Sequence, residues 1–121
     1  MRLYALRGAV TVEHNDAQEI LDATGELMQE ILKRNALGAG DAVSCIFTVT
    51  EDLDAEFPAV AARAVGFNDV PLLCAREIPV PGSMPRVIRV LLHYHAPPGH
   101  EPVHVYLRYA QALRVDLSSA Q

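Results

Sequence analysis

The chain has 121 residues, half of them hydrophobic, and a mean hydropathy of +0.13. Residues 1–121 therefore make about one domain with enough apolar material for a packed core, which excludes a multidomain assembly and a disordered segment. Fifteen Asp and Glu against ten Lys and Arg leave −5 with His neutral, which disfavours a nucleic-acid binder, because such proteins present a basic face.

Leu3 to Val12 is apolar and becomes β-branched toward its end, so it reads as a strand. Asn15 and Asp16 then offer N-caps, with Gln18 and Glu19 three residues on, the spacing of a capping box. Ala17, Ile20, Leu21, Thr24, Leu27, Met28, Ile31 and Leu32 recur at steps of three and four, which predicts one long amphipathic helix. Its end is marked by Lys33 and Arg34, suited to the helix dipole, and by Gly38 and Gly40. Ala42 to Thr50 is a second strand, and Glu51, Asp52, Asp54 and Glu56 make an acidic loop. Pro58 suits the first turn of a short helix, Ala59 to Val65, that Gly66 stops. Val70 to Ala75 reads as a short buried strand, and Ile78 to Pro85, with three prolines and a glycine, as a stiff extended loop. Val87 to His95 is the strongest strand pattern. After Pro97-Pro98-Gly99 turns the chain, Val103 to Leu113 is expected to continue as a strand, with a helix as the second choice, and Ser118 to Gln121 to be a frayed tail.

The expected fold is thus α+β (mixed α/β), a five-stranded mixed sheet with one long and one short helix. Two such helices cannot cover both faces of five strands. Val87, Ile88, Val90, Leu91 and Leu92 nevertheless place apolar residues on both faces of the fourth strand, so the second face predicts an oligomer whose sheets pack together.

Charge is unevenly spread. Residues 13–56 hold eleven acids and two bases, a net of −9, while the segments on either side are each +2. Nine of the ten bases are Arg. Coding bias toward GC explains part of that count but not the positions, and Arg is the residue for bidentate recognition of carboxylate or phosphate. Arg89 in Val-Ile-Arg-Val-Leu-Leu and Arg7 in Ala-Leu-Arg-Gly-Ala-Val stand inside strand patterns. A guanidinium placed there needs a carboxylate or several acceptors. Glu77 is the obvious acid, so one internal salt bridge accounts for one arginine, and the second arginine points to an anionic ligand.

Cys45 and Cys74 are too few for a disulfide framework or a four-ligand zinc site and read as reduced thiols. Without an apolar leader or a membrane-length apolar run, a cytoplasmic protein with no membrane partner is expected. His93 and His95 share one strand face, with His100, Glu101 and His104 after the turn, so a metal hydrolase is geometrically conceivable, but no tight ligand motif supports it and no metal or cofactor is expected. Cys74 as a nucleophile has no histidine near it in sequence. A non-catalytic oligomer that binds an anionic metabolite between subunits is the competing reading.

Taken together, Arg-Gly-Ala-Val-Thr-Val-Glu (7–13), Phe-Pro-Ala (57–59) with Arg63, Val-Pro-Leu-Leu-Cys-Ala-Arg-Glu (70–77), Ile-Arg-Val (88–90), His-Val-Tyr-Leu (104–107) and Leu-Arg-Val-Asp-Leu (113–117) resemble the monofunctional chorismate mutases of the trimeric pseudo-α/β-barrel class. The resemblance implies a homotrimer, three sheets packed into a barrel-like core with active sites at the subunit interfaces. It also implies the Claisen rearrangement of chorismate to prephenate on the shikimate route to Phe and Tyr. In that pattern Arg89 reaches the ether oxygen and a carboxylate, and Arg7 binds a carboxylate with Tyr106. Glu77 and Cys74 face the ring hydroxyl, and the backbone around Leu73 and Ala75 lines the pocket. Phe57, Ala59 and Arg63 stand beside it, and Leu113 and Arg114 close over it. Val60 and Val115 are read as departures from the family pattern, at the outer electrostatic rim and in the tail.

Overall fold

A computed structural model of the chain describes residues 1–113. In chain order the elements are β1 (Arg2–Thr11), α1 (Ala17–Arg34), a 3-10 turn (Ala39–Asp41), β2 (Ala42–Val49), α2 (Pro58–Ala64), β3 (Leu72–Arg76), β4 (Val87–Ala96), β5 (Val105–Leu107) and a second 3-10 turn (Arg108–Ala112). The strands form one five-stranded sheet in the order β3-β2-β4-β1-β5. It is mixed: β4 runs antiparallel to β1 and β2, while β5 is parallel to β1 and β3 parallel to β2.

The expected capping of α1 is made on one side only. Asp16 accepts the Glu19 N–H at 3.0 Å, but the Glu19 carboxylate turns back to the N–H groups of Glu13 and His14. Asn15 is a clamp instead, accepting the Asp54 and Ala55 N–H groups at 3.0 Å each. The buried stripe of α1 is Ile20, Ala23, Thr24, Leu27, Met28 and Ile31, and each large aliphatic side chain there contributes about 1.5–3 kcal/mol relative to exposure. At the far end the chain turns at Ala36, whose φ is 53°, before either glycine. Buried Asn35 makes that end specific: its side-chain amide donates to Ile31 O at 3.0 Å and to Val103 O at 2.9 Å, and its oxygen accepts the Val103 N–H at 2.7 Å.

Strand alternation sorts the sheet's side chains into two sets. Leu6 and Val10 of β1, Cys45 and Phe47 of β2, Ile88, Val90, Leu92 and Tyr94 of β4 and Val105 of β5 pack with the α1 stripe and α2 into the main core. On the opposite face, among the described residues, no α-helix lies over the sheet and the second 3-10 turn packs only on its β1–β5 end. Val87, Ala9, Tyr106 and Ala110 make a small cluster there, while Leu3 and Leu73 remain exposed.

One expected element is corrected. Val103 to Leu113 does not continue as a strand: β5 is three residues long, and Arg108 turns the chain at a φ of 56°. The reason is the length of the strand it pairs with, because β1 ends at Thr11, one residue beyond the last β5 pair, Val10↔Leu107. Past that point a strand would leave its N–H groups unpaired. The 3-10 turn instead places the Tyr109 N–H on Thr11 Oγ1 at 3.1 Å and Arg108 on Glu26 at 3.1 Å. Residues 114–121, which include the expected tail, lie outside the described residues.

Two features hold β5 against β1, and each carries a test. A Cβ added at Gly8 would stand 3.0 Å from Ile31 Cδ1, 3.1 Å from Val90 Cγ1 and 3.1 Å from the Val105 carbonyl oxygen, and the last is backbone that cannot step aside. Gly8→Ala should destabilise the protein by about 1–3 kcal/mol in urea denaturation, as overpacking does. His104 Nδ1 accepts the Arg7 N–H at 3.0 Å, and burial together with the Arg7 charge holds its pKa below the usual 6.5. The unfolded chain therefore binds the His104 proton more readily, so stability present above about 6.5 falls as the pH drops through that value toward the lowered folded one. Denaturation curves between pH 7.5 and 5 should show this loss, and it should be smaller in His104→Gln.

Candidate active site

One row of register-matched residues crosses all five strands on the uncovered face. Ala75 of β3 pairs with Thr48 of β2, Thr48 with Arg89 of β4, Arg89 with Ala9 of β1, and Ala9 with Tyr106 of β5. Arg89 is the middle of that row. Two strand spacings, about 10 Å, separate it from Tyr106, and Ala9 between them is buried in the small cluster with Tyr106. Arg7 lies on the same face one pair further along β1, opposite Leu91.

Glu77 follows β3 and extends it, its N–H donating to Val49 O at 2.9 Å. This turns its carboxylate over Thr48 and toward β4. Glu77 Oε2 accepts from Thr48 Oγ1 at 2.8 Å and from Arg89 Nε at 2.9 Å. The side chain of Glu77 is 17% exposed and that of Arg89 is 40% exposed. The internal salt bridge expected from sequence therefore exists. It uses one of the five guanidinium N–H donors, and among the described residues the two terminal nitrogens of Arg89 make no hydrogen bond. The result is a cation fixed by its inner nitrogen and open at its outer edge.

The remaining candidates divide between the two sides of the sheet. Leu73 and Ala75 keep to the uncovered face at the outer edge of β3. Cys74 points the other way, against the main core, and lines a cavity of about 350 Å³ together with Phe57, Pro58 and Val49. Phe57 is the exposed N-cap of α2, Ala59 is buried in the core, and Arg63 is exposed near the C-terminus of α2. Leu113 packs on the Tyr106 cluster, and Arg114 and Val115 lie outside the described residues. Within one chain, Arg89, Glu77, Arg7 and Tyr106 thus share a face, and Cys74, Phe57 and Arg63 are on the other side. Cys74 and Glu77 therefore leave the β3 segment toward opposite faces of the sheet.

The histidines do not converge. His93 Nδ1 meets Ser44 Oγ at 3.3 Å, and His100 Nε2 meets the Tyr94 hydroxyl at 2.7 Å. His104 is taken by Arg7, and among the described residues no group of three or more His, Cys, Asp or Glu could hold a metal ion. Both cysteines are free, and burial pushes the Cys45 thiol up to about 12, which keeps it protonated and inert. Among the described residues no helix is long and apolar enough to cross a membrane.

Sequence reading missed Thr48, whose β-branching registers only as strand propensity. Its signal was parity: Thr48 pairs with both Ala75 and Arg89, so a hydroxyl at that position faces whatever acid follows β3.

The model of the family Chorismate mutase type I matches residues 3–117. The chain is 52% identical to the chorismate mutase AroH of Thermus thermophilus over 118 residues, covering 96% of this chain and 97% of that protein. It is 37% identical to the chorismate mutase AroH of Bacillus subtilis (strain 168), covering 98% and 94% of the two chains. Among solved structures, a chorismate mutase from Clostridium thermocellum superposes with a TM-score of 0.87 at 46% identity, covering 91% of this chain and 99% of that one. A uniform likeness over nearly the whole length of each relative, together with the same five-stranded sheet, places this chain in the chorismate mutase type I family.

Proposed function

We propose that this chorismate mutase converts chorismate to prephenate at a site centred on Arg89. The observation that carries the assignment is the Arg89 guanidinium, held at Nε by Glu77 Oε2 at 2.9 Å, with no hydrogen bond at its terminal nitrogens among the described residues. In the rearrangement the ether C–O bond breaks as a C–C bond forms, and no proton or covalent intermediate is required. The protein has two tasks: to hold the flexible enolpyruvyl arm over the ring, and to stabilise negative charge as it develops on the ether oxygen. The outer edge of Arg89 performs the second task, its planar fork able to serve two acceptors at once. Glu77, fixed by Thr48, retains an oxygen for the ring hydroxyl, and Arg7 with Tyr106 addresses a carboxylate at the other end of the row.

The same reading makes the protein a homotrimer. Ile46 and Leu91, paired across β2 and β4, are half-buried on a face that no helix covers among the described residues, and Leu73 beside them is 62% exposed. Packing that face against other copies would bury this apolar surface. It would also bring the Phe57, Cys74 and Arg63 side of one subunit's β3 edge to the Arg89 face of its neighbour, uniting residues that a single chain keeps apart. We place the protein in the cytoplasm, where its thiols stay reduced.

Purified protein should convert chorismate to prephenate, and binding without turnover would instead favour a non-catalytic module for an anionic metabolite. Arg89→Ala should lose at least the roughly 2.7–4 kcal/mol of transition-state stabilisation typical of removing one preorganised donor, read from kcat/KM; near-normal turnover would refute the role. Sedimentation should give three times the 13.2 kDa chain mass. Ile46→Glu should lower that mass and the activity together, while far-UV circular dichroism keeps the α+β signature.

A further inference from the structure

The acidic loop after β2 is not accounted for by substrate chemistry, yet one of its residues reaches the catalytic strand. Both oxygens of Asp52 accept the Arg86 N–H, at 3.2 and 3.0 Å. Arg86 is the residue before β4 and sits at a φ of 52°, in the left-handed region that a non-glycine residue occupies only when held. Thr50 supplies the other half of the grip. Its hydroxyl donates to Asp52 Oδ1 at 2.5 Å and accepts the Val87 N–H at 3.0 Å, and its own N–H donates to Val87 O at 3.1 Å. On the far side Arg86 is tied to β1, its carbonyl accepting the Val12 N–H at 3.1 Å and its Nε donating to Val12 O at 3.2 Å.

The proline-rich loop between Glu77 and Arg86 is therefore anchored at both ends to one short run of chain. Its start is fixed by the Glu77 N–H on Val49 O, and its end by the Arg86 N–H on Asp52. Asp52 and Glu77 line the same cavity of about 360 Å³ beneath that loop. The residues from Val49 to Asp52 thus set both the position of the Glu77 carboxylate and the entry of β4, three residues before Arg89.

We propose that Asp52 is a positioning residue for the rearrangement: by holding Arg86 in its left-handed conformation it keeps β4, and with it the Arg89 guanidinium, aligned with Glu77. This rests on the reading of Arg89 as the group that meets the ether oxygen. Without the carboxylate, Arg86 relaxes toward an ordinary φ, the first pairs of β4 loosen, and the cation loses its place more than its charge. Misplacement of this kind acts on the transition state, so it lowers kcat rather than substrate binding.

The test is steady-state kinetics on the intact protein with chorismate, paired with thermal unfolding and sedimentation for each variant. Asp52→Ala should keep a cooperative melt and the parent mass, lose kcat by about 10- to 100-fold and leave KM within about two-fold of the parent. Asp52→Asn, which keeps one acceptor oxygen, should recover most of the loss. Arg86→Gly supplies a residue that adopts the left-handed φ unaided, so the fold-loss caused by Asp52→Ala should shrink to a few-fold when measured in the Arg86→Gly background. Retention of parental kcat in Asp52→Ala, a rise in KM alone, or an equal loss in the Arg86→Gly background would each overturn the proposal. If Asp52→Ala does not fold, the comparison of Asp52→Asn with and without Arg86→Gly decides in the same way. Arg89→Ala separates the two readings: full activity there refutes the Arg89 assignment itself, whereas its loss beside an unaffected Asp52→Ala refutes only the role of Asp52.

Discussion

The site depends on one ion pair made edge-on. Arg89 projects from the middle strand of a five-stranded sheet, and Glu77, arriving from beyond the edge strand, meets it at Nε rather than at the terminal nitrogens. A pair closed through both terminal nitrogens would be a structural salt bridge with its donors consumed. Closed through Nε, it fixes the orientation of the guanidinium and leaves the outer fork available. Thr48 makes the arrangement specific by donating to the same carboxylate oxygen, so the acid is oriented by a hydroxyl on one side and a cation on the other.

What brings these groups together is register. Arg89, Thr48, Ala9 and Tyr106 come from four strands in the order β2-β4-β1-β5, and every neighbouring pair in that row is a ladder partner. A slip of one residue in any strand would send its member to the helix side. The fold guards against this at its weakest junction, the three-residue β5 that carries Tyr106. Gly8 admits the backbone of β5 at close range, His104 takes the Arg7 N–H ahead of it, and Asn35 holds Val103 to the end of α1. The helix layer thereby fixes a residue on the opposite face without touching it.

The acidic stretch of the sequence has two fates. On α1 most of its carboxylates are surface groups, as the helical period requires, with Glu30 pairing Arg34 and Glu26 pairing Arg108. In the loop after β2 they become tethers: Asp54 joins the Asn15 clamp, and Asp52 holds the entry of β4. Net charge therefore says little about the ligand of this protein. The electrostatics at the site are set by the strand arginines and by where a single glutamate is turned.

Local pattern was enough for much of the molecule. The 3.6-residue period of α1, the β-branched runs of β1, β2 and β4, and Pro58 at the first turn of α2 each follow from interactions within a few residues, so they were legible in the sequence. The family likeness was legible because short blocks keep their order and spacing along the chain, and four residues from those blocks or directly beside them, Arg89, Arg7, Glu77 and Tyr106, fall on one face of the sheet. The tertiary structure alone decided the early end of β5, which depends on where β1 stops. It alone placed Cys74 on the face opposite Glu77, a consequence of strand parity and of the extension of β3 through the Glu77 N–H. Thr48, Asp52 and Asn35 also became visible only there. Their partners lie 29, 34 and 68 positions away in the chain, and a hydrogen bond across such a separation leaves no trace in local periodicity or propensity.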